Sequence, residues 1–167
     1  VVTNFLLSAL APKPKGGSAN SANSLTNQMS TVTPRELIYG VVRKGGLVSY
    51  MESNGDDNNM LHMAIVVAAH PCDAIVDYYI DDKIVALDAN GFVTGTTWNS
   101  KIKIIPCLGD GNTAARDAMI AAGCSIDTNF KGTGLTWLYI QAKFDREIFR
   151  QGLPTFTVKI RGKKVYD

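Results

Sequence analysis

The chain has 167 residues, 46% hydrophobic and 19% charged, with a formal net charge of +2. That length suits one domain, or one domain with a tail, and the hydrophobic share is enough for a core. So small a charge argues against an electrostatic nucleic-acid surface, and no specific nucleic acid is expected as a partner. The cysteines Cys72, Cys107 and Cys124 are odd in number and widely spaced. They argue against a disulfide framework and a zinc ribbon, and read as small buried thiols in a reducing compartment.

The chain opens on "VVTNFLLSALAPKPK", apolar for about ten residues and broken at Pro12 and Pro14. A bilayer span needs about 20 apolar residues, and the charged start of a signal peptide is missing. A short helix packed on a partner is expected. Residues 15–33, "KGGSANSANSLTNQMSTVT", hold few large apolar groups, so they read as a flexible arm that orders on a neighbour. The expected division is therefore an apolar segment plus arm over 1–33 and a β-rich domain over 34–167. The chain starts at Val1 and stops just after a strand, so it reads as a fragment of a longer polypeptide.

From Pro34 the pattern changes. "ELIYGVVRKGGLVSYMES" gives two β-rich runs around Lys44-Gly45-Gly46, which predicts a tight hairpin. "NNMLHMAIVVAAH" predicts a long strand. In "DAIVDYYID", alternation puts Ile75, Asp77 and Tyr79 on one face and Val76, Tyr78 and Ile80 on the other. Asp81-Asp82 and Asn90-Gly91 mark two reversals. "KIKIIPCL" is a half-exposed strand whose Pro106 marks an edge or bulge. "NTAARDAMIAAG" is one short helix over about 112–122, capped by Asn112 or Thr113 and closed by Gly123. "GLTWLYIQAKFD" and "TFTVKIRGKKVYD" are strands, with a turn at Arg161-Gly162-Lys163 in the second. The expected class is mainly β, with one short α-helix and an extended N-terminal arm.

Candidate chemistry is sparse. On one strand, His62 and His70 would lie on the same face but about 26 Å apart at ~3.3 Å per residue, too far to share a metal. Asp73, Asp77, Asp81 and Asp82 are explained by edges and turns. "DANG" fails as a calcium loop, because Ala86 and Thr97 fall where ligands are needed. Gly109, Gly111 and Ala114 fit G-x-G-x-x-A between a strand and a helix, with Asp127 downstream. This makes a dinucleotide-binding enzyme fragment an alternative, although Asp110 would repel a pyrophosphate. Trp98, Trp137, Tyr78, Tyr79 and Phe144 could form a carbohydrate platform, a second alternative; aromatic residues in strands are more often core or interface. No catalytic, cofactor-binding or metal residue is assigned, and the chain is read as no enzyme.

Three stretches in order carry a resemblance. The first holds Arg35, Tyr39, Gly40, Arg43, Gly45 and Gly46; the second Asn58, Asn59, Leu61, His62, Ala68 and His70. The third holds Gly152, Pro154, Gly162, Lys163, Lys164, Val165, Tyr166 and Asp167. Over about residues 34–167 the chain resembles the N-terminal part of tail tip, or central tail hub, proteins of long non-contractile bacteriophage tails, the host-specificity protein J-like family. The resemblance implies a hub-type β-barrel or sandwich domain in a homotrimer. It implies a structural component of the virion, made in the host cytoplasm, acting in tail assembly, host attachment and genome ejection. Its partners would be the distal tail protein, the tape-measure protein and other tail tip proteins, with the host receptor met by regions beyond Asp167. His62 and His70 would hold structural hydrogen bonds.

Overall fold

Two runs are mostly apolar, and both become strands buried on two faces. They are β3 (Met60–Ala68) and β8 (Thr136–Lys143), the central pair of an antiparallel four-stranded sheet. Its order is β2-β3-β8-β7, with β2 (Leu47–Asn54) and β7 (Ile102–Cys107) at the edges. A five-stranded sheet holds β1 (Val41–Lys44), β9 (Phe156–Arg161), β4 (Ala74–Ile80), β5 (Lys83–Leu87) and β6 (Val93–Thr94), in that order. The computed structural model describes residues 25–29, 36–150 and 152–163. The opening apolar segment, Arg35 and the closing Lys164, Val165, Tyr166 and Asp167 lie outside them.

The sheets pack face to face. Met63, Ile65, Leu138, Ile140, Ile102 and Ile104 meet Ile80, Val85, Phe156, Val158 and Ile160 in the main core. The other face of the four-stranded sheet is covered by the helix α1 (Ala114–Ala121), whose Ala115 and Met119 pack on Ala64, Trp137 and Tyr139. The expected mainly-β class is what forms, with one short α-helix among the described residues. Asn112 Oδ1 accepts from Ala114 N at 2.8 Å at the start of α1, and Gly123 N and Cys124 N close its end on Ile120 O and Met119 O. At one side the sheets join: Phe92 bridges Lys103, and Ile104 N donates to Gly91 O at 2.8 Å. The result is a sandwich closed partway to a barrel.

Local signals held at several points. Asp81 and Asp82 both take positive φ between β4 and β5, as a two-residue hairpin requires. Asp88 Oδ1 accepts from Asn90 N and Phe92 N in the next reversal. Pro106 lies on β7, an edge strand.

Five expectations are corrected. Gly45-Gly46 makes no hairpin: β1 pairs with β9, β2 pairs with β3, and the glycines carry the chain from one sheet to the other. Their value is close approach, since a Cβ on Gly46 would lie 2.4 Å from Val66 O, and one on Gly45 2.4 Å from Thr26 O. Lys44, read as a turn residue, ends β1 buried, with its ammonium paired to Glu36. Residues 161–163 likewise do not turn; the chain continues beside 38–40, with Gly162 N donating to Gly40 O at 2.7 Å and Lys163 N to Ile38 O at 2.9 Å. The alternation read across β4 breaks at a register shift between Ile75 and Asp77, which puts Ile75 on the core side with Tyr78 and Ile80. Finally, His70 lies beyond the end of β3, so the two histidines do not share a strand.

The arm enters the described residues at 25–29, and there it is bound to its own domain. Gln28 N donates to Gly46 O and Val48 N to Gln28 O, both at 2.9 Å. Asn27 Nδ2 donates to Phe156 O at 2.8 Å, and Phe156 N to Asn27 Oδ1 at 2.7 Å. The side chain thus mimics a strand residue at the seam between the sheets. Asn27→Ala is expected to cost about 2 kcal/mol for the two bonds, read as a lowered urea midpoint with cleavage near residues 25–29 becoming the first proteolytic event.

Candidate functional site

Two polar constellations stand out, each built around one of the histidines. On the helix side of the four-stranded sheet, β2 alternates Tyr50, Glu52 and Asn54 toward α1. The β2–β3 register sets Glu52 opposite His62. Asn54 Nδ2 donates to Ala122 O at 2.8 Å, so its Oδ1 must accept from His62 Nε2, also at 2.8 Å. That assigns the ring proton to Nε2 and leaves Nδ1 to accept from Tyr139 Oη at 2.8 Å. Burial pushes the imidazole below its ordinary range, opposed by the charge of Glu52. Burial likewise pushes the Tyr139 phenol well up.

Glu52 is the hinge between this network and the segment after the helix. Its carboxylate accepts from Tyr50 Oη, and from Ser125 N at 2.8 Å and Ser125 Oγ at 2.7 Å. The Tyr50 bond first, and then those from Ser125, pull its pKa down to about 2. The set contains a hydroxyl, a carboxylate and an imidazole, but in an order that does not build a nucleophile. Ser125 gives its proton to Glu52, while His62 faces Asn54 and Tyr139. The network clamps the helix to the sheet.

His70 serves the other end. Ile38 N donates to its Nε2 at 2.7 Å, so the ring is the tautomer protonated on Nδ1, which lies 2.8 Å from Pro71 O. Its ring stacks with Tyr39 at 6.3 Å and 24°. His70 therefore fixes the segment leading into β1. Leu37, Tyr39 and Val41 stand there with more than half of each side chain exposed. Among the described residues, the strand β1 pairs only with β9 and has no strand on its other edge.

Beside this edge, the outer face of the five-stranded sheet spends the aspartates on partners. Arg161 pairs with Asp73 at 3.0 Å and Lys159 with Asp77 at 3.5 Å. Arg43 pairs with Asp82 and lies 3.9 Å over the Tyr79 ring. Thr155 N donates to Asp81 Oδ1 at 2.8 Å. Among the described residues no three His, Cys, Asp or Glu side chains gather as metal ligands would. The cysteines are free and buried, and burial pushes the Cys72 and Cys124 thiols up.

The alternatives find little support in this geometry. The strand, glycine turn and helix over 102–121 do follow one another, but β7 runs antiparallel to β8. The parallel crossover that sets a dinucleotide against a sheet is missing there. Asp110 accepts from Asn112 N at 3.0 Å, and Asp127 from Asn129 N at 2.8 Å, each closing its own turn. Trp98 and Trp137 are buried, so neither presents a face to a sugar. Reading residue by residue missed Tyr50, Glu52 and Asn54. Their alternation was visible, but their partner His62 emerges only from the strand register.

The described residues define a class first: a two-sheet antiparallel sandwich, partly closed, with the helix α1 over an outer face. No family model matches the chain, and no curated protein matches it. Among solved structures it is similar to a chain from the virion of a native gene transfer agent (GTA) particle. The match has a TM-score of 0.56 and 12% identity, and covers 83% of this chain and 29% of that one. The two share a fold, and this chain spans less than a third of the larger protein.

Proposed function

We propose that this chain is a structural subunit of a phage-type virion, and within it part of the central hub that closes a long non-contractile tail at its tip. The observation that carries the reading is the shared fold with a virion chain over 83% of the present sequence. The motifs around Tyr39, His62 and Gly162 support the finer assignment by their resemblance to tail hub proteins. On this reading the protein works by assembly and not by turnover. Three copies surround the tail axis and contact the distal tail protein, the tape-measure protein and other tip proteins. The outer edge of β1, with Leu37, Tyr39 and Val41 held up by His70, is the surface offered to a neighbouring subunit, since an unpaired strand edge must be paired or covered.

Imaging of assembled particles carrying a label on this chain is expected to place three copies at the tail tip. A full-length protein that stays monomeric and never enters particles would refute the reading. Leu37→Asp combined with Val41→Asp is expected to lower the trimer fraction at least tenfold, measured by light scattering. Both side chains are exposed, so the domain itself should still fold.

A further inference from the structure

We propose that an open groove at one end of the sandwich receives Tyr39 of a second copy of this chain, joining copies head to tail. The inference rests on the assembly reading above and names the surface that meets the β1 edge. Leu61, Ala142, Phe144, Phe149 and Leu153 form the groove, and its volume is about 260 Å³. An apolar cavity of roughly 150 Å³ accepts a benzene ring, so a phenol fits with room to spare. Leu61 and Phe149 pack inward on the main core, while Phe144 and Leu153 stay 61% and 46% exposed. The Phe144 and Phe149 rings stack at 6.3 Å and 15°, making one aromatic wall. Ser53, Asn58 and Asn59 line the same groove, and among the described residues their side chains hold no hydrogen bond. An apolar slot edged by free hydroxyl and amide groups suits a ring that is apolar over its face and polar at its tip, as tyrosine is.

Tyr39 is such a group. It is 60% exposed, stands between the exposed Leu37 and Val41, and is held in place by the His70 ring. A protomer cannot fill its own groove. Leu61 is near the start of β3 and His70 lies just past its end. The seven steps from Leu61 to Ala68 alone span about 23 Å at ~3.3 Å per residue. Groove and tyrosine are thus at opposite ends of one strand, and a second copy brings them together. Charge favours the same pairing. Lys163 bridges to Tyr39 and is exposed, with no ion pair among the described residues. Asp56 and Asp57, exposed and likewise unpaired, directly precede Asn58 and Asn59 on the groove rim. A cation beside the tyrosine meets two carboxylates beside the groove, whereas like ends would repel. Such a contact uses one groove and one tyrosine per copy, and a ring closed by rotation leaves neither exposed.

The test is disulfide capture between two samples of the full chain, in which the native cysteines are buried and do not compete. One sample carries Leu37→Cys, beside Tyr39. The other carries Asn58→Cys or, separately, Leu153→Cys. Ile84→Cys, exposed on β5, replaces Leu37→Cys in the control. Bonds joining the two samples should form about tenfold faster from Leu37→Cys than from Ile84→Cys. Adding Tyr39→Asp to the first sample, or Phe144→Asp to the second, should return capture to the control rate; both side chains are exposed, so both variants should fold. Control-level rates at both groove sites would overturn the proposal, and so would fast capture that survives Tyr39→Asp. Light scattering on the parent protein keeps this apart from the trimer reading. A trimeric parent with control-level capture removes the groove contact alone. A monomeric parent with fast, Tyr39-dependent capture removes the trimer and leaves the groove contact standing.

Discussion

Gly162→Ala is expected to destabilise the domain by about 3 kcal/mol, lowering its melting temperature by about 10 °C for a chain of this size. The new Cβ would sit 2.1 Å from Ile38 O and 2.5 Å from Ile38 C. Backbone cannot rotate away as a side-chain tip can. The strand would separate from 38–40, breaking the bonds from Gly162 N to Gly40 O and from Lys163 N to Ile38 O. Gly40→Ala is the matched control. Its φ of +74° strains an alanine, but nothing lies within 4 Å of the added carbon, so the loss should be about 1–2 kcal/mol. Urea unfolding of both variants decides the matter; equal losses would mean that close approach at Gly162 is not the constraint.

The second large effect belongs to His62. His62→Ala leaves a cavity in a closed layer and orphans both Tyr139 Oη and Asn54 Oδ1, a loss of about 3–5 kcal/mol. The pH dependence separates this role from simple packing. In the folded protein, burial holds the imidazole below its ordinary 6.5. The unfolded chain therefore binds the proton first, and stability present above that value is lost as the pH falls through it. Glu52, with a folded pKa of about 2 against 4.5, adds a second, lower loss. Its contribution is present above about 4.5 and disappears as the pH falls toward about 2. Urea midpoints of the parent protein should fall in two steps on acidification. In His62→Ala the upper step should vanish and the lower one remain. An unchanged upper step would assign it to another group.

Much of the architecture was legible along the chain, because hairpins, caps and edges are decided by a few adjacent residues. Asp81-Asp82 reversed the chain, Asn112 and Gly123 bounded the helix, and Pro106 lay at an edge. Local sequence was ambiguous where one residue type permits two different things. Glycine permits a tight turn, and it also permits two backbones to meet. Gly45-Gly46 and Gly162 read as turns and proved to be contacts, because only the packed neighbours Val66, Thr26 and Ile38 distinguish the cases. The extra residue in β4 likewise has no local mark, and it moved Ile75 to the core.

The polar clamp shows the same division. The sequence by itself determined that β2 would show Tyr50, Glu52 and Asn54 on one face, since side chains alternate along any strand. Only the tertiary structure decided that this face would meet His62, Tyr139 and Ser125, because register and sheet-on-helix packing join residues far apart in the chain. It also decided that the tryptophans would be core, and that β1 would end its sheet among the described residues, with Leu37, Tyr39 and Val41 exposed beside it.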